Sequence, residues 1–391
     1  MDDASRVAPD PVREGITTSG PERNWPYNSW WVAAHASEIG TQPAMRWVLE
    51  IPIALYRQAN GEPVALHNRC PHRWAPLSLG TVEGDDLVCP YHGLQFAPSG
   101  QCVKVPTQSA VPSAIRVRSF PVVERYGFIW VWTGENQHAD PDLVPDDLQF
   151  LSDPDWHMCW GYKSVDANFM QLKENVLDLT HFAFVHRTSL GITGWDRPPS
   201  VEITEKRVGY RQKFVMQPLA PVYAIAAGKP VGTLANRDNW GCHISPGAHF
   251  GAVDMHDPDP GEDGLEHFSL RIVHLTTPVS IGKTHYYWAM ARDHGEPYDF
   301  ESTRAGADIV FGEDIAIVEA TQSMARRSVD QENAVEFSVA ADRAAIEGRR
   351  RVAAMVKSEK DSGARIPSQR EAEQPVHYDQ HALPEKERSI K

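Results

Sequence analysis

Cys70-Pro71-His72-Arg73 and Cys89-Pro90-Tyr91-His92-Gly93 decide how the first third of this chain folds. The potential ligands run Cys-X-His, sixteen residues, Cys-X-X-His, a spacing that specifies a metal centre. In a [2Fe-2S] cluster two thiolates can bind one iron and two imidazoles the other, and the histidines raise the potential well above that of an all-cysteine cluster. Zinc also accepts a Cys2His2 set, but zinc fingers usually pair Cys with Cys and His with His. Here each short arm supplies one of each. Pro71 and Pro90 sit beside the cysteines, with Gly80, Gly84 and Gly93 nearby, which suits two loops closing on one cluster.

Working outward, Val48 to Tyr56 is apolar and branched, Ala59-Asn60-Gly61-Glu62 is a turn signal, and Val64 to Leu66 resumes the pattern, a hairpin that leads into the first loop. After the second loop, Gly93 to Phe96 reads as a strand, Pro98-Ser99-Gly100 as a turn, and Phe128 to Trp132 as a closing strand. A small antiparallel β domain is therefore expected over 25–134, after a polar extension over 1–24. Glu135 to Asp155 is rich in Asp and Pro and reads as a linker. The second domain, 135–350, combines helical character over Asn168 to His186 and Phe300 to Arg327 with strand-like runs at Val201 to Gln217, Leu265 to Thr277 and Thr284 to Ala291. The expected class is α+β, an antiparallel sheet flanked by helices in the second domain. Residues 351–391 are charged and poor in aromatics, and read as a loosely attached tail.

At 391 residues and 41% hydrophobic, the chain can bury a core for two domains. A net charge of -14 argues against nucleic acid or an anionic membrane surface as partner. No apolar run is long enough to span a bilayer and Met1 to Asn24 has no signal-peptide core, so a cytoplasmic location is expected. Cys102, Cys159 and Cys242 show no disulfide spacing and read as buried, reduced thiols.

Residues 174 to 187 read Glu-Asn-Val-Leu-Asp-Leu-Thr-His-Phe-Ala-Phe-Val-His-Arg, bringing Asn175, Asp178, His181 and His186 into one segment. Two histidines and one carboxylate on one face make an oxygen-activating ferrous site with open positions. On a regular helix, however, residues five apart diverge by roughly 140°. A π-bulge or a helix end between His181 and His186 is therefore expected. For the third ligand, Asp308, Glu313 and Asp314 are all open on residues alone.

The two loops resemble those of a Rieske domain. Followed by Asn175-X-X-Asp178-X-X-His181-X4-His186, they resemble the α subunit of a Rieske non-haem iron oxygenase, of the single-subunit demethylating type. Similarity runs from about Asn24 to Arg350 and is particularly close over Trp30 to Ala34, Ile53 to Arg57, Cys70 to Phe96 and Arg118 to Arg125. The resemblance implies Asp314 as third iron ligand, in Gly312-Glu313-Asp314-Ile315-Ala316-Ile317-Val318-Glu319, leaving Glu313 and Asp308 as solvated helix charges. It further implies that Asp178 bridges His92 or His72 of one subunit to His181 of the next, in a head-to-tail ring, usually a homotrimer.

The implied chemistry takes NAD(P)H electrons through a separate reductase and a ferredoxin. The chain has no Gly-X-Gly-X-X-Gly fingerprint of its own. The cluster passes electrons to the mononuclear Fe(II) of the neighbouring subunit, and one atom of O2 enters a C–H bond of a small aromatic substrate. On an O- or N-methyl group this releases formaldehyde; ring cis-dihydroxylation is the alternative. His249 and His274 correspond to substrate-contacting positions in demethylating members, and Ala305 stands where a pocket-shaping tryptophan is found. Tyr286, Tyr287 and Trp288 read as core aromatics or one wall of the pocket, and Arg73, Lys104, Arg116 and Arg118 as a basic rim for an acidic ferredoxin.

Overall fold

A computed structural model of the chain describes residues 24–191, 197–227, 229–259, 266–295, 299–327 and 336–363. The expectations for 1–23 and 364–391 lie outside the described residues. Two compact units are present: one is Tyr27–Val144, the other Pro145–Asp361 together with the described residues 24–26. Among the described residues no helix is long and apolar enough to cross a membrane.

In the first unit Trp30–His35, Phe128–Trp132 and Val122–Arg125 form a three-stranded antiparallel sheet. A second sheet orders Ala44–Val48, Ile51–Arg57, Pro63–His67 and Ser119–Phe120. The apolar run from Val48 to Tyr56 is thus not one strand. Leu49 and Glu50 have φ of 52° and 65°, a two-residue turn whose left-handed pair matches the twist of the flanking strands. A third sheet of four short strands, Thr81–Glu83, Asp86–Val88, Gln95–Phe96 and Cys102–Lys104, frames the second ligand loop.

The stretch from Glu135 to Asp155 is not a free linker. It winds into short 3-10 turns at Asn136–His138, Pro141–Leu143 and Asp146–Ser152, and Val144 and Leu148 are fully buried. The indoles of Trp132 and Trp30 hold its first part by donating to the carbonyls of Glu135 (3.0 Å) and Asp140 (2.8 Å).

The second unit is built on one seven-stranded antiparallel sheet. Its strands are β1 His157–Val165, β2 Ser200–Ile203, β3 Val208–Pro218, β4 Leu234–Ser245, β5 Ala248–His256, β6 His267–Ser280 and β7 Lys283–Arg292, in the order β1-β7-β6-β5-β4-β3-β2. Helices are α1 Phe169–Leu177, α2 Pro221–Ala226, α3 Phe300–Arg327 and α4 Arg343–Asp361. The register places Val208, His243, His249, His274, Trp288 and Gly161 side by side in one row across six strands. Directly paired residues share a face, so the row forms one line on the sheet. Gly161 is required there, since a Cβ would lie 2.3 Å from Cζ2 of Trp288.

Helix α1 is pinned at both ends. Asn168 caps it by accepting from the N–H of Met170, while the Asn168 N–H donates to Gln322 of α3. At the other end Arg349 of α4 holds Glu174 through Nε–Oε1 at 2.5 Å and Nη2–Oε2 at 2.8 Å. Helix α4 corrects the expected tail. Residues 351–361 are helical, with Val352 fully buried, because Ala344, Ala345 and Gly348 let the helix approach Leu177 closely.

Candidate functional site

The two cysteine-histidine loops have the same backbone plan. The N–H of Cys70 donates to the carbonyl of Ala75 and the N–H of Trp74 returns to Cys70; Cys89, Leu94 and Gly93 repeat this with the same spacing. Both loops turn through a left-handed residue, Trp74 (φ 61°) and Gly93 (φ 71°). The cysteines end up buried, at 1% and 2% exposure, and the histidines exposed. The imidazole rings of His72 and His92 lie 4.5 Å apart. Burial pushes the Cys70 thiol up to about 12, so a thiolate there needs a compensating cation. Buried sulfurs on one side and paired rings on the other fit a cluster with one sulfur-bound and one histidine-bound iron.

In the second unit α1 ends at Leu177. Asp178 is extended (φ -125°, ψ 101°) and starts a 3-10 turn over Leu179–Ala183, where its Oδ1 accepts from the N–H (2.9 Å) and hydroxyl (2.7 Å) of Thr180. The helix break lets His181 and His186 meet, with ring centroids 5.2 Å apart. His181, His186 and Asp314 each offer a ligand atom within 4.8 Å of the others.

The hydrogen bonds fix which nitrogens face inward. His181 Nδ1 donates to the carbonyl of Asp178 at 2.6 Å and His186 Nδ1 to Oε2 of Glu313 at 2.8 Å. Both Nε2 atoms turn inward to Oδ1 of Asp314, at 3.3 and 3.1 Å, and although burial lowers the His186 imidazole, its contacts with Asp314 and Glu313 raise it above its ordinary value. His181 Nε2 is buried with no hydrogen-bond partner. Two inward Nε2 atoms beside a carboxylate are, once deprotonated, the donor set of a ferrous site, and the outer N–H bonds fix ring orientation as metal-bound histidines require. Asn175 Nδ2 donates to Asp314 Oδ1 at 3.1 Å. Burial would raise the Asp314 carboxyl, but the two imidazoles outweigh it and hold the group well below the usual carboxylate range.

Glu313 is not a plain solvated charge. Besides His186 it accepts from Ser189 Oγ at 2.5 Å. Asp308 does behave as a surface charge, paired with Lys163 at 2.8 Å. Ala305 is exposed on α3, while Ala307 and Phe311 are buried. Arg118 is committed inside its unit, donating to Thr133 and Gly134 carbonyls and stacking on Phe120, which removes it from the basic rim; Arg73, Lys104 and Arg116 are exposed. The remaining cysteines are free and buried.

His249, buried, and His274, half-buried, both belong to the row across the sheet. His274 Nδ1 lies 2.7 Å from the Tyr286 hydroxyl and its ring packs on Phe311, one turn before Asp314 on α3. Tyr286 and Trp288 face α3, whereas Tyr287 packs on Tyr162. His243 and Lys173, absent from the expected residues, complete the row's polar end. Lys173 lies four residues after Phe169 and four before Leu177, both fully buried, and that placement on an apolar stripe was the available signal.

Residues 29–121 match the Rieske [2Fe-2S] domain and residues 165–358 the vanillate O-demethylase oxygenase C-terminal domain. The oxygenase component of dicamba O-demethylase from Stenotrophomonas maltophilia is 37% identical over 275 residues, 68% of this chain and 78% of that protein. The oxygenase component of chloroacetanilide N-alkylformylase from Rhizorhabdus wittichii is 31% identical over 343 residues, covering 85% and 96%. The crystal structure of dicamba monooxygenase with non-heme iron and dicamba superposes with a TM-score of 0.72 at 28% identity, covering 87% of this chain and all of that one. With both domains matched in order over a shared fold, the chain belongs to the Rieske non-haem iron oxygenases, as the oxygenase component of a multicomponent system that uses a [2Fe-2S] cluster, mononuclear iron and O2.

Proposed function

We propose that the protein carries out oxidative O- or N-demethylation, or a related dealkylation or hydroxylation, of a small aromatic compound. Cys70, His72, Cys89 and His92 hold the cluster, and His181, His186 and Asp314 the iron. Iron at the second site, when bound, supplies the chemistry of O2. The protein's own groups do the positioning: Glu313 and the Asp178 carbonyl aim the two imidazoles, and Asn175 steadies Asp314. The inward orientation of both Nε2 atoms beside Asp314 is the observation that carries this reading.

Electrons come from NAD(P)H through a reductase and a ferredoxin, in the cytoplasm where that donor is made. Asp178 joins the cluster histidines of one subunit to His181 of the next in a head-to-tail homotrimer. A carboxylate accepting imidazole N–H groups on both sides would shorten the path between the centres. Relatives named for O-demethylation and N-alkylformyl removal support dealkylation as the reaction type. The test is a screen of methoxylated and N-alkyl aromatics for formaldehyde release under labelled dioxygen. One labelled atom in the products is expected; a diol carrying two would instead establish ring dihydroxylation.

A further inference from the structure

Beyond the two centres already described, one further group of metal-binding side chains converges among the described residues. The ligand atoms of His256, Glu266 and His267 all lie within 4.8 Å of one another. Strand register sets the group up. His256 of β5 and His267 of β6 are directly opposite, at the last pair of their ladder, and side chains so paired rise together from one face. Their rings stack at 4.7 Å between centroids and 26° between planes. The Asp257 N–H donates to the Glu266 carbonyl at 2.9 Å, which carries the ladder one step further and brings the glutamate beside both rings.

The three donors share one point. Nε2 of His256 and Nε2 of His267 lie 3.4 and 3.2 Å from the same Glu266 oxygen, Oε1. Two independent ion pairs would spread over both carboxylate oxygens, whereas convergence on one puts all three donors within reach of a single small ion. The side chains of His256, His267 and Glu266 are 37%, 69% and 61% exposed, so an ion can enter from solvent and water can complete its coordination. Asp257 is not a further ligand, since its Oδ2 is held by Lys229 at 2.7 Å. The group stands apart from the histidine row. His256 lies seven residues along β5 from His249, which strand alternation puts on the opposite face of the sheet, roughly 23 Å away along the strand.

We infer that His256, His267 and Glu266 form a third metal site, a surface site for a divalent cation of the zinc class. Two imidazoles and one carboxylate, with a fourth position left to water, are a zinc donor set, whereas Mg2+ and Ca2+ take oxygen ligands. Asn236 tunes this site through the outer nitrogen of His256. Its Oδ1 accepts from the Met216 N–H at 3.0 Å, which fixes the amide and leaves Nδ2 facing His256 Nδ1 at 3.3 Å. With the amide donating to Nδ1, the ring proton sits on Nε2 and is shared with Glu266. Coordination needs the Nε2 lone pair, so the proton passes to Nδ1 and the Asn236 bond is given up. Asn236→Asp keeps Oδ1 for Met216 and offers Oδ2 to the new Nδ1–H, the outer carboxylate that favours a metal-bound imidazole.

The test is calorimetric titration of the iron-loaded holoenzyme with zinc chloride, with iron content and cluster spectrum followed throughout. About one zinc ion per chain should bind at this donor set, with both iron centres unchanged. His267→Ala, at an exposed position, should weaken binding by about tenfold or more, and Asn236→Asp should tighten it by about tenfold. Asp314→Ala, which removes a ligand of the proposed iron centre, should leave zinc affinity within about twofold, since the two sites share no residue. The inference is overturned if the holoenzyme takes up no zinc, if His267→Ala binds zinc as tightly as wild type, or if Asn236→Asp fails to tighten binding. Loss of the zinc uptake in Asp314→Ala would assign the ion to the iron centre and overturn it equally.

Discussion

Replacing Glu313 with alanine removes the acceptor for His186 Nδ1 without touching a proposed ligand. His186 is 1% exposed and its N–H lies 2.8 Å from Glu313 Oε2. Leaving such a buried donor unpaired costs about 1–3 kcal/mol, which at roughly 1.4 kcal/mol per tenfold weakens iron binding by about one to two powers of ten. Loss of an outer partner of a metal-bound histidine independently gives about 10–100-fold. The Glu313 side chain is itself 28% exposed, so water can enter the space it leaves, which favours the lower end of that range. Glu313→Gln retains an acceptor oxygen and should cost no more than about threefold. Anaerobic titration of iron-stripped protein against a chromophoric chelator measures both, with the cluster absorption as internal control. An alanine variant that binds iron within twofold of wild type would refute the positioning role.

Three further outcomes follow from the same geometry. Gly161→Ala forces a Cβ against the buried indole of Trp288, whose ring is backed by Phe311 at 5.3 Å, so denaturant unfolding should show a loss of about 2–3 kcal/mol; an unchanged midpoint would contradict the packing. Arg349→Met strands Glu174, whose side chain is 18% exposed, and should cost about 3 kcal/mol; a loss below about 1 kcal/mol would mean the α1–α4 tie contributes little. Asp178→Asn should retain both metals yet slow electron transfer from the cluster by more than about tenfold, seen as single-turnover reoxidation; a wild-type rate would reject the bridge.

What the sequence made legible was local. The cluster loops lie within a few residues of their ligands, and α3 follows from an apolar stripe, so both could be read directly. Asp178 was read as a bridge on resemblance, while its capping of the turn that breaks α1 depends on geometry that spacing only hints at. The histidine row was invisible because His243, His249 and His274 become neighbours only through strand register, and register is set by the whole sheet. Glu313 looked like surface because its role depends on a histidine that approaches it only after the chain turns past Asp178. Residues 351–361 misled through their charge: α4 binds by small residues at Ala344, Ala345 and Gly348, which hydrophobic patterning weights lightly.

The central claim is that His181, His186 and Asp314 hold an iron distinct from the cluster and necessary for oxygenation. Iron analysis of purified Asp314→Ala beside wild type, paired with the visible spectrum, tests it most directly. Wild type should carry roughly three irons per chain, two in the cluster and one mononuclear. The variant should carry roughly two, with the Rieske absorption unchanged and no formaldehyde released from any substrate the wild type demethylates. A variant that keeps the third iron and its turnover would contradict the site.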